Sequence, residues 1–406
     1  MDNQPPATRL PGPSSLRWLL ATRGAEGFAD SLARTLLPII AVSVLGLGTA
    51  YVGVLNSLSL ATFLLLGIPI GSLIDGLGRR TRAMAVASLT RAFCLVSIAI
   101  LYLTQTLSGP ALLVAALLVG IADVAYTTAE GTVVPALVPE SELKTAYSHL
   151  AVTSQSAMTG ASLVGSLLLS IAGVLGMVVT AIVSYTTSLV FQRQIAVEHE
   201  PTRIQTRSAR DGFQILFASK ALRSLTVSAA LTNAGVMLGN TMLPVLVLRD
   251  LAISPAVFAA MGVVAAVGAI LGSAVAPLLT TRIGLRRIRI CSAVLAGPAV
   301  LFAVYCQELP SHEVIWLMLQ AFLWNLLVSI SSVAGSDVLP RVAPRHRLAS
   351  VGAAQRTITL GIMPISALIG GAVGAYSGTT AMIWIWAGLA VLAALPLLRV
   401  SELDQF

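Results

Sequence analysis

The chain has 406 residues, 56% of them hydrophobic and only 10% charged, with a formal net charge of +8 and a mean hydropathy of +0.88. A soluble domain averages roughly 25% charged residues, so there is too little polar surface here to coat a water-soluble particle of this size. The composition excludes a soluble enzyme or soluble nucleic-acid-binding protein and points to an all-α membrane protein that crosses the bilayer many times.

In chain order, "MDNQPPATRLPGPSSLR" is polar and proline-rich. It has no apolar core and reads as a tail rather than a signal peptide. A crossing helix needs about 20 largely apolar residues. Such spans are expected at 17–46, 50–74, 83–105, 109–136, 144–168 and 172–191. The polar stretch 192–221 follows, and then 222–247, 254–280, 288–307, 312–336, 349–374 and 379–398. The expected organisation is an N-terminal six-helix bundle at 1–191, a cytoplasmic linker at 192–221 and a C-terminal six-helix bundle at 222–406. The linker's end, "DGFQILFASKAL", fits either a short amphipathic surface helix or a solvated connector.

With the N-terminus inside, the basic residues fall on one side: Arg17, Arg79, Arg80, Arg82, Lys144, the linker arginines, Arg282, Arg286, Arg287 and Arg345 among them. The opposite loops hold Arg249 alone. This is the positive-inside pattern of a multi-pass protein of the inner (plasma) membrane with both termini cytoplasmic. It assigns the positive charge to anionic lipids rather than to nucleic acid. Cys94, Cys291 and Cys306 have no metal or disulfide spacing and read as apolar filler.

The halves repeat. "TLLPII" at 35–40 matches "TMLPVL" at 241–246, "GLGRR" at 76–80 recurs as "IGLRR" at 283–287, "PALVPESEL" at 135–143 echoes "PRVAPRHRL" at 340–348, and "GASLVG" at 160–165 falls opposite "SALIGG" at 366–371. The offsets are 205–207 throughout. Two parallel six-helix repeats are a transporter arrangement.

"GSLIDGLGRR" at 71–80 is the most specific stretch. Through Gly71, Asp75, Gly78, Arg79 and Arg80 it resembles the signature between helices 2 and 3 of the major facilitator superfamily. The 6+6 layout extends that resemblance over the whole chain. "PALVPESELKTAYS" is similar to the macrolide-efflux-like and multidrug exporters within it. Two positions depart from the family pattern: Thr281 stands where the second copy of Asp75 would be, and Ala161 replaces the proline of the antiporters' fifth-helix motif. Physically, the glycines permit close helix approach and a tight turn, while Asp75 can cap a helix or pair with a guanidinium. The stretch reads as a conformational latch or as a simple basic turn.

Span one carries Arg23, Glu26, Asp30 and Arg34. At about 100° per residue they occupy an arc of about 80°. With Trp18 at the interface, Asp30 lies about 18 Å deep and Arg34 about 24 Å. Charge at such depth must face a partner or a wet cavity. Arg91 on span three lies about 12 Å deep; of Asp123 and Glu130, on one face of span four, Glu130 falls near the depth of Arg91 and Glu26 and Asp123 nearer Asp30 and Arg34. The resemblance implies that spans 1, 4, 7 and 10 line a central cavity. The expected coupling group is Asp30, Glu26 and Glu130, with Asp123 nearby and Arg34, Arg91 and Arg23 as charge partners. Asp30 is the first choice as proton carrier, since a desolvated carboxylate takes up a proton and an approaching arginine displaces it. The alternative is a structural salt-bridge network. His149 is a further titratable group within span five.

Candidate substrate-cavity residues are Tyr126, Asn233, Asn240, Gln320, Trp324 and Asn325; interhelical hydrogen bonding is the competing reading. No GxxxxGK[ST] is present, and the chain has two lysines, Lys144 and Lys220. Transport would therefore draw on a gradient, with no nucleotide, cofactor or metal and no enzymatic step. The function expected is proton-coupled export of a small amphipathic molecule, a drug or secondary metabolite, by alternating access in a monomer that meets lipids, protons and substrate. Uptake or facilitated diffusion of a metabolite is the rival, and a non-transporting sensor or scaffold is the rival from another class.

Overall fold

The computed structural model describes residues 13–77, 80–138, 142–195, 209–308, 312–336, 338–343, 348–398, 400 and 402–403. Among the described residues its regular secondary structure is entirely helical. The long helices are α1 (Pro13–Ile39), α2 (Thr49–Leu77), α3 (Arg80–Leu103), α4 (Gly109–Leu137), α5 (Leu143–Ile171) and α6 (Gly173–Gln192). A short α7 (Ala209–Ala218) precedes α8 (Lys220–Val245), α9 (Pro255–Ile283), α10 (Leu285–Glu308) and α11 (Glu313–Ala334). Then come α12 (Val338–Val342), α13 (Leu348–Leu392) and α14 (Leu395–Leu398). α13 is two helices joined at Gly378, whose φ of 79° interrupts the helical backbone. Counting its two arms, twelve helices of the described chain correspond to the twelve expected spans. α7 lies where an amphipathic end to the linker was one expectation. Residues 196–208 of that linker lie outside the described residues.

Local chemistry sets the helix ends. Ser219 and Ser254 cap α8 and α9, their Oγ atoms accepting from Leu222 N at 3.3 Å and Val257 N at 3.4 Å. Gly284 ends α9 at a φ of 88°, a conformation that glycine adopts without strain. α5 is long enough to cross but holds Ser148, Thr153, Ser154, Gln155 and Ser156 in its first half.

The sequence repeat reappears in the backbone. Pro38 in α1 and Pro244 in α8 are each followed by a π-helical turn, Ile40–Val44 and Leu246–Asp250. A proline supplies no amide hydrogen to its helix, and such interruptions accommodate π turns. Leu45 N donates to Ile40 O at 3.0 Å, and Leu251 N to Leu246 O at 2.9 Å. Gly46 and Ala252 then both take positive φ, 66° and 52°. Every one of these pairs is separated by 206 positions.

By packing, the chain divides into two compact units. The first is Met1–Leu36, Leu65–Val164 and Ile171–Arg203; the second is Leu37–Leu64, Gly165–Ser170 and Ile204–Phe406. This differs from the division along the chain at 1–191 and 222–406, because the segment Leu37–Leu64 packs with the C-terminal helices. A glycine contact inside the second unit accounts for it. A Cβ placed on Gly53 of α2 would stand 2.5 Å from Ala367 O and 2.8 Å from Gly371 Cα of α13. Small residues let helices in lipid approach this closely. Gly53→Val is expected to cost about 1–3 kcal/mol through overpacking, read as a lower thermal midpoint of the purified protein in detergent. Gly67→Val, where a Cβ would meet nothing within 4 Å, serves as the neutral control.

The second unit has its own core. Trp386 of α13 is 2% exposed and sits over Gly235 and Gly239 of α8, with Trp324 of α11 edge-on at 4.8 Å. Arg286 and Arg289 at the start of α10 hydrogen-bond helix-end carbonyls: Arg289 Nη1 donates to Ser331 O at 3.0 Å and Arg286 Nε to Leu397 O at 3.1 Å. Cations at helix C-termini are favourably placed.

Candidate functional site

The first unit contains a network of charge drawn from α1, α3 and α4 and closed by α6. α1 presents its four charges as one stripe, as the spacing predicts. Arg23 Nη1 donates to Glu130 Oε2 at 3.1 Å and Arg23 Nη2 to Ser154 Oγ at 3.3 Å. Arg34 Nη2 donates to Asp123 Oδ2 at 3.1 Å. Between these pairs lies Arg91 of α3, whose side chain is fully buried. Its Nη1 stands 2.5 Å from Asp30 Oδ1, 3.2 Å from Glu26 Oε2 and 3.9 Å from Asp123 Oδ1. The Glu26 contact is close enough for an ion pair but out of line for a hydrogen bond.

Two aromatic rings flank the guanidinium. The Tyr126 centroid is 4.8 Å away and the Tyr185 centroid 5.2 Å, a cation–π arrangement that is strongest where water is excluded. Tyr185 also donates its hydroxyl to Asp30 Oδ1 at 2.6 Å. Glu26 is sealed, at 0% exposure. Its Oε1 accepts from the hydroxyls of Ser88 and Ser188. Gln192 Nε2 bridges those hydroxyls at 2.9 and 2.8 Å.

Within the expected group of Asp30, Glu26, Glu130 and Asp123, the geometry assigns each acid its arginine. Asp123 is the third carboxylate beside Arg91, and Glu130 belongs to Arg23. The two acids share a face of α4 but are seven residues apart, about 10 Å along the helix axis. One guanidinium does not reach both. Ser88, Ser154, Tyr185, Ser188 and Gln192 escape a search for charged residues. The spacing of Tyr185, Ser188 and Gln192 at i, i+3 and i+7 marks one polar face of α6.

The expected cavity residues are placed as follows. Tyr126 is fully buried under Arg91, Gln320 is 1% exposed, and Trp324 is packed on Trp386. Asn233 donates to Thr359 O at 2.8 Å, and Asn325 to Ala321 O of its own helix at 2.9 Å. Asn240 is exposed, its backbone carbonyl accepting from Asn56 Nδ2 at 3.3 Å. Apart from Asn240 these side chains pack or bond between and along helices. His149 is exposed. Of the latch, Gly71 lies within α2 and Arg80 opens α3. Gly78, Arg79 and the side chain of Asp75 lie outside the described residues.

The Major Facilitator Superfamily profile matches residues 19–246 and 225–404. Among solved structures, the nucleoside transporter NupG is similar at a TM-score of 0.75 and 14% identity, over 94% of this chain and 98% of that one. A bacterial homologue of the iron transporter ferroportin, in an inward-facing state, gives 0.71 and 15%, over 95% and 98%. A bacterial homologue of the human lysosomal transporter Spinster gives 0.67 and 16%, over 97% of each chain. At these identities the likeness is one of fold. None of the curated proteins compared is a significant match in sequence. With the profile spanning nearly its full length and twelve helices in two repeats, the chain belongs to the Major Facilitator Superfamily of multi-pass membrane transporters.

Proposed function

We propose that this transporter exports a small amphipathic molecule, a drug or secondary metabolite, in exchange for protons, by alternating access of the halves 1–191 and 222–406, joined by the linker 192–221, in a plasma membrane with both termini cytoplasmic. One observation carries the reading: four carboxylates and three guanidiniums are packed within helices that cross the bilayer. Intramembrane charge is costly and is retained where it does work on ions or protons. Each arginine faces a carboxylate that binds it when ionised and releases it when protonated, so a proton arriving at the network changes which helices are tied together. The likeness of "PALVPESELKTAYS" to macrolide-efflux-like exporters supports the direction and substrate class. Gly71, Asp75, Gly78, Arg79 and Arg80 serve in this scheme as the latch.

Liposomes with an internal pH dye and reconstituted protein test it. Under an imposed pH gradient, lipophilic cations and neutral amphiphiles are added in turn. Substrate-dependent proton flux is expected from the wild type, falling to background in Asp30→Asn. Flux that persists unchanged in Asp30→Asn removes Asp30 from coupling. Substrate movement that ignores the pH gradient makes the protein a uniporter.

A further inference from the structure

Among the described residues the charge network is unbalanced by one. Its cations are Arg23, Arg34 and Arg91, and its carboxyl groups are Glu26, Asp30, Asp123 and Glu130. Glu130 occupies Arg23 and Asp123 occupies Arg34, both at 3.1 Å. That leaves Arg91 for Asp30 and Glu26 together, and it offers both the same nitrogen. Two ionised carboxylates on one guanidinium would leave a negative charge with no counter-ion among the described residues, beside a Glu26 that is 0% exposed. Buried unpaired charge is strongly unfavourable, and such a group neutralises itself instead.

The geometry distinguishes the two acids. Asp30 takes the in-line bond from Arg91 Nη1 and a second from the Tyr185 hydroxyl, both to Oδ1. Its residual exposure is 18%, against none for Glu26. Glu26 has the longer, misaligned contact, and its Oε2 receives no hydrogen bond among the described residues. Its other oxygen is served by two serine hydroxyls, which rotate and suit a neutral acid as readily as an anion. Among the described residues, the charged and titratable groups of the network it belongs to are Asp30, Arg23 and Arg34 on α1, Arg91 on α3, Asp123, Tyr126 and Glu130 on α4, and Tyr185 on α6. Arg91 is the cation within ion-pair distance of it, and Arg23 is engaged by Glu130 and Ser154.

We propose that Glu26 is a proton-binding site that holds the network's one surplus proton, seated by Ser88, Ser188 and Gln192, while ionised Asp30 positions Arg91. The complementary state is then defined. With Arg91 moved to Glu26, the same proton resides on Asp30, the partly exposed acid, and the number of protons and charges is unchanged. Proton release and uptake would occur at Asp30, and Glu26 would be the occluded store. The role in transport rests on the proton-coupled reading above; protonation of Glu26 does not.

Infrared spectra of the purified protein at neutral pH test this, with carboxyl-¹³C glutamate or carboxyl-¹³C aspartate incorporated selectively. The expected result is a carboxylic-acid band that shifts with labelled glutamate, stays put with labelled aspartate and disappears in Glu26→Gln. Absence of the band, a shift with aspartate, or persistence in Glu26→Gln overturns the proposal. Glu26→Gln mimics the neutral acid, so it is expected to keep the wild-type thermal midpoint; a large drop argues that Glu26 is ionised and also overturns it. If the band maps to Glu26 but no compound drives proton flux, the coupling function fails and the site stands. Proton-coupled flux without the band gives the reverse.

Discussion

Arg91→Leu is expected to destabilise the protein by about 3–5 kcal/mol, the range for removing one partner from a buried ion pair. Leucine fills much of the space between Tyr126 and Tyr185, so the loss would come from charge rather than from a cavity. Asp30 would keep only the Tyr185 hydroxyl, and Glu26 only its serines and Gln192. Asp123 would still have Arg34 at 3.1 Å, which limits the damage to the sealed end of the network. Thermal unfolding in detergent measures the effect. The triple variant Arg91→Leu, Asp30→Asn, Glu26→Gln is the informative companion. Replacing a buried ionic group as a whole is often close to neutral where breaking it is not, so the triple variant is expected to recover most of the loss. A triple variant as unstable as the single one would mean that Arg91 acts mainly through its packing against the two rings.

Trp386→Ala is expected to cost about 3–5 kcal/mol in the second unit. The indole is 2% exposed. Its ring lies where the Cβ atoms of Gly235 and Gly239 would be, and Trp324 meets it edge-on. Truncation leaves a cavity that backbone on one side and an aromatic ring on the other are poorly able to close. The reciprocal variant Gly239→Ala would put a methyl group 2.7 Å from the ring, and it is expected to cost about 1–3 kcal/mol by overpacking. Because the two sites touch, combining them should fall short of the sum. Strict additivity in the double variant's thermal midpoint would show that the glycine and the indole do not press on each other.

Much of the architecture is legible in the residues. The scarcity of charge identifies a membrane protein, run length and punctuation place the twelve helices, and the 206-residue offset exposes the repeat. That offset extends further than the letters suggest: Pro38 and Pro244 carry matching π turns, and Ala252 takes the positive φ that glycine takes at 46. The stripe on α1 is equally legible, because helical period alone places Arg23, Glu26, Asp30 and Arg34 on one face.

Partner choice is another matter. Helical spacing puts Asp123 and Glu130 on one face of α4, yet it does not say which arginine each meets. That depends on how far each helix is shifted along its axis, which is decided when whole surfaces pack. The neutral half of the site was hidden for a related reason. Ser88, Ser188 and Gln192 are ordinary polar residues in a chain, and they acquire a role only by meeting one buried carboxylate. For Asn233 and Trp324, residue type suggests a cavity wall, while only the packing shows the bond to Thr359 O and the edge-on contact with Trp386. Composition and period thus determined class, topology and the charged face of α1. Tertiary packing alone decided the pairing and the one-charge imbalance, because ion pairs within about 3 Å depend on three-dimensional proximity that one-dimensional spacing does not encode.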